Sequence, residues 1–183
     1  MTVGADPCVG PGGHAGPPLH NIMQTIQGTG RAAGFRFAVV VSKYNDFITN
    51  RLQTGALTAL ASAGVAPSDI TLVRVPGAFE IPLAALHAAE SSRFDAIVCL
   101  GCLIRGETAH FEYISSAVSH GLTEAAAATG VPMSFGVLTT NSIEEALARA
   151  AEGSANKGHE AAVAAIEMAE VVAQLTRQAT PRS

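Results

Sequence analysis

Tryptophan is absent from this 183-residue chain, aromatic residues make up only 5% of it, and charged residues only 14%. Hydrophobic residues nevertheless reach 48%, so the apolar content is mainly Ala, Val, Leu and Ile. A soluble monomer rarely exposes large apolar patches, and this balance points to surface buried between subunits. Basic residues are also few: 11 Lys and Arg stand against 15 Asp and Glu, a net charge of −4. That argues against a nucleic-acid face, which needs a basic excess. No apolar run approaches the roughly 20 residues of a membrane span, so no membrane partner is expected. The chain carries no P-loop and no dinucleotide fingerprint, and no His/Cys cluster with metal-ligand spacing. Neither a metal nor a cofactor is expected.

The length suits one domain with a full core. Of the three cysteines, Cys8 stands alone, while Cys99 and Cys102 have the C-x-x-C spacing of a redox pair. They lie across the end of an apolar strand rather than at a helix start, where thiolates are activated. They therefore read as buried structural thiols. Residues 1–31 are rich in Gly and Pro and lack the apolar stretch of a secretory signal. We expect a disordered arm over 1–33, the folded domain over 34–178 and a flexible tail over 179–183. The expected address is the cytoplasm.

From residue 34 onward, strand and helix patterns alternate. Phe37–Ser42 (FAVVVS), Ile70–Val75, 96–100 and 133–139 read as strands. Helices are expected from a cap at Asn45 or Asp46 to about Ala63, from Pro82 to Ala89, over 111–129 and over 159–178. Gly64 and Gly130 close two of them. Ser142, with Glu145 three residues on, has capping-box spacing for a further short helix. The last helix is apolar around most of its circumference, which suggests contact with the sheet and with another subunit. This alternation predicts an α/β fold, a three-layer α-β-α sandwich around a mostly parallel, flavodoxin-like sheet.

Three strand ends carry candidate chemistry, where open α/β sheets bind ligands. After the third strand, Gly106, Thr108 and a helix start offer an anion site beside His110, whose imidazole is the natural acid–base group. The plain alternative for His110 is an exposed residue on a first helical turn. At the second strand end, Gly77 permits close backbone approach, and Glu80 can bind hydroxyls or N–H groups. Glu80 equally fits a turn residue stabilised by the next helix's dipole. At the first, Tyr44 offers a ring for a flat heteroaromatic substrate or for packing. Arg149 and Lys157 are cations able to pair with phosphate.

The pieces Tyr44-Asn45, VPGAFEIP at 75–82, GCLIRGETAHFEY at 101–113, FGVLTT at 135–140, Arg149 and NKGHEAA at 156–162, in this order and spacing, resemble the lumazine synthases. The similarity runs over about 36–175. It implies condensation of 5-amino-6-(D-ribitylamino)uracil with 3,4-dihydroxy-2-butanone 4-phosphate to 6,7-dimethyl-8-ribityllumazine, phosphate and water. This is the penultimate step of riboflavin biosynthesis and needs no cofactor. By position, the resemblance gives Tyr44 the stacking role on the pyrimidine. Ala78, Phe79, Glu80, Cys102, Leu103 and Ile104 would hold that substrate, with Phe135 closing the pocket from a neighbouring subunit. Glu107, Thr108 and Arg149 would bind the butanone phosphate, His110 would shuttle protons, and Lys157 and Glu160 form a polar pair near Arg149.

The resemblance further implies homopentamers, twelve of which form a capsid in many members, with riboflavin synthase as a protein partner. There are departures from the common pattern. Tyr44 stands where Phe or Trp is more usual, Phe79 where Trp or Ser is common, and 150–155 (AAEGSA) lacks the basic wording of many shell-forming members. Two other readings are a flavin- or lumazine-binding module and a shell-forming relative without catalysis.

Overall fold

Every residue of the first strand, β1 (Phe37–Ser42), is buried. Phe37, Val39 and Val41 enter one apolar cluster, Ala38 and Val40 another. A strand that is apolar on both faces belongs in the middle of a parallel sheet covered on both sides. The computed structural model, which describes residues 24–178, places it there. The other strands are β2 (Ile70–Val75), β3 (Ala96–Ile104) and β4 (Met133–Thr140). Their order is β2-β1-β3-β4, and every pair is parallel.

Among the described residues, five α-helices cover the sheet: α1 (Asp46–Ser62), α2 (Ile81–Glu90), α3 (His110–Thr129), α4 (Ile143–Arg149) and α5 (Lys157–Gln178). Leu52 and Leu60 of α1, Ala146 of α4 and Ile166 of α5 share the cluster on one face. Ile81 and Ala85 of α2, with Val118 and Leu122 of α3, fill the other. The three-layer α-β-α architecture is thus the expected one. Each fully buried Val, Leu, Ile or Phe contributes about 1.5–3 kcal/mol relative to exposure. Among the described residues, no helix is long and apolar enough to cross a membrane.

Some boundaries differ from the sequence reading, each for a local reason. β3 does not break at Gly101 but continues to Ile104, because β4 pairs with it from Ile97↔Met133 to Ile104↔Thr140. Glycine serves at that point because a Cβ on residue 101 would sit 3.0 Å from Ile81 Cδ1 of the helix crossing above. Asn45 stands before α1 without a side-chain cap, in the left-handed region at φ 57°. Ser142 does cap α4, accepting from Glu145 N–H at 3.2 Å, while the Glu145 carboxylate reaches back to Asn141 N–H at 3.0 Å.

Cys99 and Cys102 point into different clusters on opposite faces of the sheet, so they cannot pair without dismantling β3. Burial pushes their thiols up to about 12 and about 11. That suppresses the thiolates a redox role needs.

The expected arm is only partly open to description: residues 1–23, including Cys8, and the expected tail at 179–183 lie outside the described residues. Residues 24–33 do not fit a disordered arm. Ala32 is fully buried and donates its N–H to Ala63 O at 2.9 Å. Gln174 donates to Gln27 O at 3.0 Å. The Glu170 carboxylate of α5 accepts from Thr29 N–H at 2.6 Å, Thr29 Oγ1 at 2.7 Å and Gly30 N–H at 2.8 Å. The packed unit therefore extends ahead of the expected boundary at 34.

Partial burial raises the Glu170 pKa, but hydrogen bonds from Thr29, Gly30 and Arg31 outweigh it, and the net shift is downward. A carboxyl whose folded pKa is depressed stabilises above its ordinary value and loses that contribution as pH falls through the depressed one. Glu170→Gln is expected to speed amide exchange over residues 27–31 at neutral pH, read by hydrogen-exchange mass spectrometry. The native chain is expected to loosen further there as pH falls below the ordinary glutamate range, and Glu170→Gln is expected to lack that additional loosening. Equal protection in both proteins at neutral pH would show that Glu170 does not hold this segment.

Candidate active site

The order β2-β1-β3-β4 reverses its winding between β1 and β3. α1, which follows β1, and α3, which follows β3, cover opposite faces. The loops leaving the two strands therefore part and open a crevice at their carboxyl ends. A cavity of about 520 Å³ occupies it.

Buried Ser42 shapes the first wall. Its Oγ accepts from Tyr44 N–H at 3.2 Å, and its carbonyl accepts from buried Thr49 Oγ1 at 2.8 Å. The turn so formed leaves Tyr44 70% exposed at the cavity, so its ring is not packed within its own chain. Next to it, the Asn45 side chain donates to Cys102 O at 3.0 Å and ties the β1 loop to the end of β3. The second wall is the turn after β2. Ala78 is buried there, while Phe79 is 57% exposed. A Cβ on Gly77 would stand 3.0 Å from Glu80 Oε2, the movable end of that side chain.

Cys102, Leu103 and Ile104 form the floor at the end of β3. The Cys102 side chain is buried in the α1/α5 cluster, so this residue meets the cavity with its backbone. The third wall is the loop before α3 and that helix's first turn, with Gly106, Thr108 and His110 on the cavity. No side chain caps α3, which leaves its first N–H groups directed toward the Thr108 loop. Such an uncapped start attracts anions. Glu107 lies in the same exposed loop but does not line the cavity. Among the described residues, no group of three His, Cys, Asp or Glu side chains is placed to hold a metal.

The remaining candidates gather elsewhere. Phe135, Arg149, Lys157 and Glu160 line a separate cleft of about 390 Å³ between β4, α4 and α5, which shares no residue with the first. Phe135 pairs in register with Cys99, well short of Leu103 along the strand. Arg149 donates to Glu145 O at 3.2 Å on its own helix. Lys157 Nζ lies 2.8 and 2.7 Å from the two Glu160 carboxylate oxygens. One chain thus divides the expected site residues between two open clefts.

A family model described as 6,7-dimethyl-8-ribityllumazine synthase matches residues 34–173. The chain belongs to this family. A curated relative from Syntrophus aciditrophicus (strain SB), named 6,7-dimethyl-8-ribityllumazine synthase, is 52% identical over 144 residues, covering 79% of this chain and 94% of the relative. Membership agrees with the resemblance carried by the motifs, and the protein is an enzyme, a lumazine synthase-family transferase of riboflavin biosynthesis.

Four residues at this lumazine synthase crevice had no binding or bracing role in the sequence reading: Asn45, which was expected only as a helix cap, Arg105, Phe111 and Ile114. Asn45, Phe111 and Ile114 line the cavity. Arg105 braces the β3–α3 loop without binding space of its own. It pairs with Glu112, donates to Asn141 Oδ1 at 3.1 Å, and lies over the Phe111 ring at 4.4 Å. Its Phe and Glu partners, six and seven residues on, were the available signal. The Glu112 backbone N–H, and then Arg105, hold the Glu112 carboxyl below its ordinary value.

Asn45 combines a left-handed backbone with a hydrogen bond across the crevice. Asn45→Gly keeps the backbone and loses the bond, at a cost of about 1 kcal/mol. Asn45→Ala loses the bond as well and, unlike Gly, keeps a Cβ in that region without the polar side chain that lets Asn adopt it, about 1–2 kcal/mol worse than Gly. Thermal unfolding at fixed protein concentration should rank native, Gly and Ala in descending order. Equal Gly and Ala midpoints would contradict this account.

Proposed function

We propose that this chain condenses 5-amino-6-(D-ribitylamino)uracil with 3,4-dihydroxy-2-butanone 4-phosphate in a site shared by two copies of the chain. The products are 6,7-dimethyl-8-ribityllumazine, phosphate and water. One observation carries the shared site: the expected residues form two separate half-sites, both open. In this reading the crevice of one copy receives the ribitylaminouracil. Tyr44 stacks on its ring, while Ala78, Phe79, Glu80 and the 102–104 backbone hold its edge and ribityl chain. Phe135 of a neighbouring copy covers it.

The phosphate of the second substrate sits at the uncapped start of α3, with Thr108 and the Glu107 backbone as donors and the neighbour's Arg149 as clamp. Lys157 and Glu160 lie beside that arginine. His110 carries protons from the attacking amine to the carbonyl oxygen that leaves as water, and then takes the proton released from the substrate carbon as phosphate departs. The substrates bring their own amine and carbonyl, so alignment supplies a large share of the rate. The exposed apolar residues Leu83, Ile143, Met168 and Leu175 support homopentamers, with twelve rings in a capsid as the further assembly. The compartment is the cytoplasm, and riboflavin synthase is the partner that uses the product.

Anaerobic mixing of the protein with both substrates, followed by lumazine absorbance and fluorescence, tests the reaction against its spontaneous rate. Accelerated formation that weakens in Arg149→Ala is expected. A rate equal to the uncatalysed mixture, from folded protein, would leave a binding or shell protein instead. His110→Ala should slow turnover by roughly 10²–10⁴-fold, the span of general acid–base catalysis, and keep measurable activity. Refolding His110→Ala and Arg149→Ala chains together should give activity well above either alone, since some sites then combine two intact halves. No recovery in mixed oligomers would place both halves on one chain. Light scattering reads the assembly: mass near five chains would remove the capsid, and mass near one chain would remove the shared site.

A further inference from the structure

Asn156 has no assigned role in the reaction, yet it is the most heavily bonded side chain near the second half-site. Arg149 is the last residue of α4 and Lys157 the first of α5. The segment 150–156 between them forms no helix or strand. The local bonds of the two cations do not fix their separation. Arg149 binds a carbonyl of its own helix, and Lys157 binds Glu160 one turn along.

Asn156 joins both ends. It is 3% exposed. Its Nδ2 donates to Ala150 O at 3.1 Å and Ala151 O at 3.0 Å, just past Arg149, and to Arg51 O of α1 at 3.2 Å. Its Oδ1 accepts from Gly158 N–H at 2.8 Å and His159 N–H at 3.2 Å, the unpaired donors at the start of α5. With acceptors on one side and donors on the other, only one orientation of the amide fits, its two N–H groups shared among the three carbonyls. The surroundings are fitted to it. A Cβ on Gly55 would collide with Asn156 Oδ1, and a Cβ on Gly158 would collide with the Leu52 carbonyl. α1 and α5 approach closely there because both residues are glycine.

We propose that Asn156 is a positioning residue that sets the spacing of Arg149 and Lys157 for the phosphate-bearing substrate. This rests on the assignment of Arg149 to that substrate above. The α4 terminus is anchored through Nδ2 and the α5 start through Oδ1. A side chain that keeps the acceptor but loses the amide donor frees Arg149 while α5 stays capped. Ser does so and is a good cap, and Asp keeps the cap while setting a carboxylate oxygen against the three carbonyls, which drives them away.

The test compares native protein with Asn156→Asp, Asn156→Ser, Arg149→Ala and the double variant Asn156→Ser/Arg149→Ala. Steady-state kinetics are run with each substrate varied in turn, and inorganic phosphate binding is measured by calorimetry. The expected result is a KM for the butanone phosphate, and a Kd for phosphate, raised roughly tenfold or more in both Asn156 variants by misplacement of the clamp. The KM for the ribitylaminouracil should stay near native. A purely structural role would lower the active fraction, hence kcat, without separating the two KM values, and would overturn the proposal. So would Asn156→Ser weakening phosphate binding as much in the Arg149→Ala background as in the native one. An unchanged butanone phosphate KM in Arg149→Ala would remove the assignment of Arg149 itself. A raised KM there with native values in both Asn156 variants would overturn Asn156 alone.

Discussion

The parallel pairing of β1 with β3 is the constraint on which the rest of this structure depends. Both strands are buried on both faces, so both must lie inside the sheet and both sheet faces must be covered. Once they are neighbours, the helices that follow them leave toward opposite faces. The crevice is the consequence of that divergence, and it needs no specialised loop to open it. Everything that touches it, from Tyr44 to His110, arrives on short connections from strand ends that the sheet holds rigidly.

Rigidity at the crevice comes from bonds that cross between connections. Asn45 ties the β1 loop to the end of β3, and Arg105 N–H donates to Thr140 O at 2.8 Å between the β3 and β4 ends. Arg105 also fixes the start of α3 through Phe111 and Glu112. Substrates that already carry an amine and a carbonyl ask chiefly for orientation, and cross-braced walls provide it. The second cleft follows the same principle with fewer parts, since a single buried amide joins three helices beside two cations.

The exposure of the two half-sites connects composition to function. Tyr44, Phe79 and Phe135 are aromatic rings left largely open on one chain, in a sequence that has few aromatics to spend. Rings in that state are consistent with surfaces that meet a substrate or another copy. The low charge content points the same way, because a chain with few charged residues gains from burying surface in an assembly.

The sequence by itself determined the strands, most of the helices, the layer order and the family. It did so because a two-faced apolar run such as FAVVVS and turn residues such as Gly64 and Gly130 encode their structure locally. The motif order likewise placed Tyr44, Glu80, Thr108 and His110 on strand-end loops before any contact was known. Only the tertiary structure decided that Cys99 and Cys102 face opposite ways. It alone decided that residues 24–33 fasten to α5, and that the expected site residues divide between two clefts. Asn45 looked like a helix cap, and Asn156 was only part of a motif, because their partners lie 57 and 105 residues away in Cys102 and Arg51. A hydrogen bond over that separation leaves no periodicity in the chain. It exists only after β1, β3, α1 and α5 have been brought together by burial.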